Sequence, residues 1–196
     1  MRFDPQIHRR RSIRLKGYDY SQDGAYFITI VIQGRECLCG EVINQAVKLT
    51  PAGEMILVWW QKIPRKFQAV SLDAFVLMPN HFHGVIMIDS EGDIEKNGQT
   101  HGSAPTDSRE LVRADPRVRP NAPIAQMVQW FKTMTTNEYI RGVKELGWPP
   151  FIGKLWQRNY YEHIIRNPNE HARICNYIYS NPLRWMEDDK NRGPRA

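Results

Sequence analysis

The sequence predicts a mixed α+β domain, and three stretches carry that expectation. Residues 72–78 and 81–88 are largely apolar runs joined by Pro79-Asn80, a tight corner that makes them the two arms of a hairpin. Residues 25–33, Ala-Tyr-Phe-Ile-Thr-Ile-Val-Ile-Gln, are aromatic and β-branched on both faces and read as a central strand. Asn167-Pro168-Asn169-Glu170 opens a helix, with a side-chain acceptor at the cap, proline first and glutamate third.

Composition bounds the class. The 196 residues suffice for one domain with a substantial core plus tails. A net charge of +6 favours an acidic partner, nucleic acid first and an anionic membrane surface second. Cys37, Cys39 and Cys175 form no CxxC pattern and leave an odd thiol, which argues against a disulfide scaffold and for a reducing compartment. With no signal-peptide core at the N-terminus and no run of about 18 apolar residues, a soluble, cytoplasmic protein is expected.

The elements follow in chain order. Residues 1–16 form a basic arm in which Arg9, Arg10, Arg11 and Arg14 can lie along phosphates through forked hydrogen bonds, or simply sit in solvent. After the central strand, residues 37–43 predict a shorter one. Thr50-Pro51 opens a helix whose Ala52, Met55, Ile56, Trp59 and Ile63 share one face, and Pro64 closes it. Past the hairpin, residues 89–121 carry almost no large apolar residue, so a flexible insert is expected there. Ile124, Met127, Val128 and Phe131 recur at helical spacing within residues 123–141. Residues 154–166 predict a further strand with an irregular approach. Its Trp156, Tyr160 and Tyr161 among Lys154, Arg158 and Arg166 make either a platform for stacked bases or a packed sheet edge. The last helix runs to about Asn181, since Pro182 disfavours helical geometry just before it. Ala172, Ile174, Cys175 and Ile178 are its expected buried side, His171 is expected at the surface, and residues 186–196 form a charged tail.

Chemistry gathers at His81-Phe82-His83. Strand residues two apart share a face, so both imidazoles point together and Phe82 points away. Such a pair can grip one divalent cation or merely decorate a strand end. Tyr177 and Asn181 lie four apart on the last helix, close in angle and one turn removed, whereas Tyr179 faces roughly the other way. Two imidazole nitrogens and the Asn181 oxygen would hold a cation with positions left for phosphate oxygens. Tyr177 beside it would be a nucleophile that keeps the phosphodiester bond energy in a covalent link. A zinc site of His81, His83 and His163 is the alternative chemistry, with His163 otherwise a hydrogen-bonded strand residue.

Met78-Pro79-Asn80-His81-Phe82-His83, Trp156-Gln157-Arg158-Asn159-Tyr160-Tyr161-Glu162-His163 and Tyr177-Ile178-Tyr179-Ser180-Asn181-Pro182 together resemble the REP-associated tyrosine transposases of the single-tyrosine HUH superfamily. The resemblance spans residues 17–185, interrupted by the insert. It implies an antiparallel sheet with flanking helices in the ferredoxin-like or RNA-recognition-motif-like style. It also implies DNA binding, with cleavage and rejoining of single-stranded DNA in transposition or recombination, at hairpins of repeated extragenic palindromes. The implied chemistry is that of a Mg²⁺- or Mn²⁺-dependent endonuclease and strand transferase that forms a 5′-phosphotyrosine. By position, Tyr177 takes the nucleophile's place, His81 and His83 those of the paired ligands, and Asn181 that of the third ligand. Relatives often carry Gln or an acid at that third place, and Asn is shorter. The resemblance leaves monomer and homodimer open. Rival functions are a non-catalytic binder of structured single-stranded nucleic acid and a zinc-dependent hydrolase.

Overall fold

A computed structural model describes residues 19–89 and 123–187. The basic arm with Arg9, Arg10, Arg11 and Arg14, nearly all of the insert, and all but the first two residues of the tail lie outside the described residues.

The chain order is β1 (Gly24–Val31), β2 (Gly40–Ile43), β3 (Ala46–Leu49), α1 (Pro51–Gln61), α2 (Ile63–Lys66), β4 (Val70–Met78), β5 (His81–Ile88), α3 (Ile124–Leu146), β6 (Tyr161–Ile165) and α4 (Pro168–Tyr179), followed by a 3-10 helix at Pro182–Glu187. Four strands form one sheet in the order β4-β5-β1-β6, every neighbouring pair antiparallel. With α1 and α3 as its crossovers this is the βαββαβ arrangement of ferredoxin-like folds. The expected α+β class and antiparallel sheet are therefore observed.

Local chemistry sets each element. The Thr50 side chain accepts from Gly53 N at 3.1 Å, and the Asn167 side chain accepts from Glu170 N at 2.9 Å, so both Thr-Pro and Asn-Pro caps work as their sequences predict. α3 ends at Gly147, whose φ of 70° suits a left-handed helix stop. β1 is the central strand, flanked by β5 and β6.

Alternation along β1 and β5 divides the molecule. Tyr26, Ile28, Ile30, Phe82 and Ile86 face α1 and α3 in the larger core, whereas Phe27 and Val85 join Ile174 and Ile178 of α4 on the other side. Gly84 is required by the first packing, because a Cβ there would lie 2.6 Å from the Trp60 ring. Among the described residues no helix is long and apolar enough to cross a membrane.

Several expectations change. The strand at 37–43 shrinks to β2, which pairs with β3 in a separate hairpin whose Asn44 and Gln45 take φ of 50° and 64°, as a tight two-residue hairpin turn needs. α1 is rotated from its predicted face: Trp60 is the fully buried indole, while Trp59 is partly exposed and meets the edge of Trp130. In α4, Ile174 and Ile178 are buried but Ala172 is exposed. Only Tyr161–Ile165 of residues 154–166 is strand. Before it, Trp156 makes an isolated antiparallel bridge to Ile32, and the Lys132 ammonium donates to the carbonyls of Gln157 (2.9 Å) and Asn159 (3.2 Å).

Candidate active site

β5 leaves the Pro79-Asn80 corner with His81 paired to Met78 on one side and Val31 on the other, and His83 paired to Val76 and Thr29. Both histidines project from the α4 face, with ring centroids 4.7 Å apart, while Phe82 stacks into the opposite core at 4.5 Å from Trp60. They are 0% and 1% exposed.

Each ring is held by a fixed partner. Asn80 Nδ2 donates to the Arg35 carbonyl at 3.1 Å, which turns Asn80 Oδ1 toward His81 Nδ1, 2.8 Å away. An amide oxygen only accepts, so His81 carries its proton on Nδ1 and presents the Nε2 lone pair. Thr29 Oγ1 meets His83 Nδ1 at 2.8 Å, leaving His83 Nε2 directed toward α4. Phe27 stacks on the His83 ring at 5.5 Å, and Trp185 on the His81 ring at 6.1 Å.

α4 brings the phenol. Tyr177 is half-buried, its hydroxyl 3.4 Å from His83 Nε2 across 94 positions of sequence, and its ring meets His83 edge-on at 5.2 Å. The rival Tyr179 is 66% exposed. Asn181 stands beyond the helix, in the turn after the Ser180 cap, not one helical turn above Tyr177 as predicted. Arg184 N donates to its carbonyl at 3.1 Å, and this tight turn carries Trp185 onto His81. Asn181 is 3% exposed, and its buried Oδ1 has no hydrogen-bond partner among the described residues. An orphaned buried carbonyl is costly unless a ligand completes it. It fits the oxygen donor that a cation site needs.

Other candidates separate from this cluster. His163 pairs with Phe27 two strands away from β5, and its Nε2 bonds Glu170 Oε1 at 2.8 Å; a zinc site joining it to His81 and His83 does not form. Trp156 is 4% exposed, donates from its indole nitrogen to Thr135 Oγ1 at 2.9 Å and packs on Phe131. It therefore offers no free face to a base, and for Trp156 the packed reading of the two is the one observed, whereas Tyr161 is 43% exposed. Tyr160 donates to Glu162 Oε2 at 2.6 Å. Arg158 is exposed, at the rim of a groove of about 720 Å³ between α3 and residues 153–160.

No protein-family model matches the chain. An uncharacterised protein of Haemophilus influenzae is 39% identical over 187 residues, which is 95% of this chain and 96% of that protein. The chain belongs to that protein's family. Among solved structures, a REP-associated tyrosine transposase bound to a REP hairpin superposes with a TM-score of 0.54 at 18% identity, covering 87% of this chain and 73% of that one. The family therefore has a transposase-like fold. A Deinococcus radiodurans structure matches at a TM-score of 0.42 and 16% identity, covering 85% of this chain and 95% of that one, too distant to argue from.

Sequence reasoning did not find the residues that orient His81 and His83: Thr29, Asn80 and Trp185. Asn80 had a readable signal, since an amide beside a His-x-His at a hairpin corner can reach the neighbouring imidazole. Thr29 and Trp185 had none, because strand register and the 3-10 turn bring them in.

Proposed function

We propose that this chain is a single-tyrosine HUH transposase that cleaves and rejoins single-stranded DNA through a covalent phosphotyrosine, at hairpins of the repeated extragenic palindrome type. The observation that carries the reading is the approach of the Tyr177 hydroxyl to within 3.4 Å of His83 Nε2. The buried Asn181 Oδ1 beyond the end of the same helix, without a hydrogen-bond partner among the described residues, supports it. His81, His83 and Asn181 would hold the divalent cation. Two neutral imidazoles and one amide oxygen suit Mn²⁺ better than Mg²⁺, which favours all-oxygen shells. Such a cation, when bound, neutralises charge on the phosphate under attack.

The chain's own groups do the rest. Tyr177 Oη bonds to phosphorus as the bond from phosphorus to the 3′-oxygen breaks, the phenolic proton passing to solvent and the leaving oxygen becoming a 3′-hydroxyl. Reversal by an incoming 3′-hydroxyl rejoins DNA without external energy, because the phosphotyrosine keeps the ester bond. Thr29 and Asn80 lock ring orientation, and packing of α4 on β4 and β1 keeps the phenol in reach. Arg158 and the arm residues Arg9, Arg10, Arg11 and Arg14 would contact phosphates.

The test is incubation with Mn²⁺ and a labelled hairpin carrying single-stranded flanks. A covalent protein–DNA adduct is expected, lost in Tyr177→Phe while hairpin binding survives. Cleaved ends without any adduct would mean hydrolysis by water, and binding without cleavage would reduce the chain to a nucleic-acid-binding protein.

A further inference from the structure

On the same side of the sheet but on different residues, α4 and β4 bring together a carboxylate, an imidazole and a thiol. β4 has a register break between Leu72 and Phe75. The break interrupts alternation, so that Ala74 packs in the α4 core and Asp73 also reaches α4. His171 and Cys175 lie four apart on α4 and so form one stripe of the helix. His171 Nε2 meets Asp73 Oδ2 at 2.5 Å, and Cys175 Sγ lies 3.6 Å from the same nitrogen. One donor atom from each residue falls within 4.8 Å of the other two, and all three residues are only partly buried. Among the described residues this is the one such cluster of His, Cys, Asp and Glu.

We propose that Asp73, His171 and Cys175 form a second cation site, of the zinc type, that ties α4 to β4 and leaves a fourth position to water. Thiolate, imidazole and carboxylate together select a borderline-soft ion such as Zn²⁺ over Mg²⁺ or Mn²⁺. Tetrahedral zinc with ordinary bond lengths separates sulfur from nitrogen by about 3.6 Å and nitrogen from oxygen by about 3.4 Å. The first spacing is already present, but Sγ also lies 4.0 Å from His171 Nδ1, so the thiol has to swing from beside the ring toward the Nε2 lone pair. The second requires the Asp73–His171 hydrogen bond to open by about 0.9 Å, within reach of two partly exposed side chains that need only small χ adjustments. Binding releases the Cys175 thiol proton to solvent and moves the His171 proton from Nε2, where it is donated to Asp73, to Nδ1. The site differs in kind from the His81–His83 pair, beside which the only sulfur on the described residues paired to it is the Met78 thioether, not a thiol.

That difference makes the test selective. Titration of the full chain with Co²⁺, a spectroscopic stand-in for zinc, is expected to raise a near-ultraviolet thiolate-to-cobalt charge-transfer band that saturates and is displaced by Zn²⁺. The band should persist in His81→Ala and Cys37→Ser and vanish in Cys175→Ser. No band in the unaltered protein, or a band surviving Cys175→Ser, overturns the proposal. A measurement without any substitution guards against a misfolded variant: Zn²⁺ should slow alkylation of Cys175, followed by peptide mass, while the exposed Cys37 stays reactive. Equal labelling of Cys175 with and without Zn²⁺ would equally overturn it.

Discussion

On the side of the sheet that meets α1 and α3, Phe82 packs among Trp60, Phe131 and Phe75 in a mainly aromatic and aliphatic core. One residue before and one after it on β5, His81 and His83 emerge on the α4 side among Thr29, Asn80, Tyr177 and Asn181, as deeply buried yet polar. The same strand thus supports a dry aromatic layer and a layer of hydrogen-bonded donors and lone pairs. The lesson is that burial means different things on the two faces. On one it stabilises by removing apolar area from water. On the other it holds nitrogen and oxygen atoms in fixed directions.

Substitutions should separate the two roles. Tyr177→Phe should abolish the covalent DNA adduct on a denaturing gel while shifting the melting temperature little, because only one long hydrogen bond at 3.4 Å is removed. A large loss of stability there would mean that the α4 face is core after all. Trp60→Ala should do the reverse, costing about 3–5 kcal/mol in denaturant unfolding through the cavity it leaves. Gly84→Ala would press a Cβ to within 2.6 Å of the Trp60 ring, and overpacking of this kind costs about 1–3 kcal/mol. If it proves neutral, Trp60 is less tightly seated than its contacts indicate. Asn80→Ala releases the His81 ring, and loss of such an orienting partner should weaken Mn²⁺ binding by about 10–100-fold, read by calorimetry, with a smaller change in stability.

The smallest effect concerns Lys132, at the edge of the aromatic face. Burial pushes its ammonium down to about 8, although it donates to the carbonyls of Gln157 and Asn159. The folded state therefore holds this proton less tightly than the unfolded chain. The resulting penalty is present in full below about 8 and fades as pH rises toward the ordinary lysine value near 10.4. An NMR titration of the Lys132 side chain should show a midpoint near 8, and a midpoint at the ordinary lysine value would contradict the burial.

How far the sequence could be read depended on the range of the interactions involved. The Asn167 and Thr50 caps, the Pro79-Asn80 corner and the shared face of His81 and His83 are set by neighbours within four positions. Backbone geometry alone turns those patterns into structure. Trp59 and Trp60 are adjacent on α1, and the periodicity of a short helix left the choice of buried indole to the surface it meets. Trp156 carried the composition of a base-stacking residue, and only its bond to Thr135, 21 positions earlier, shows it to be core.

The sequence by itself therefore determined the antiparallel hairpin, the central strand, the capped helices and the orientation of the histidine pair, because each follows from local dihedral preference and side-chain period. Tertiary structure alone decided that Asn181 sits in a buried turn and that Thr29 faces His83. It also decided that a register break in β4 swings Asp73 against His171, which had the composition of a surface residue. Those outcomes depend on strand register and helix placement between segments up to 98 positions apart, where no local preference reaches.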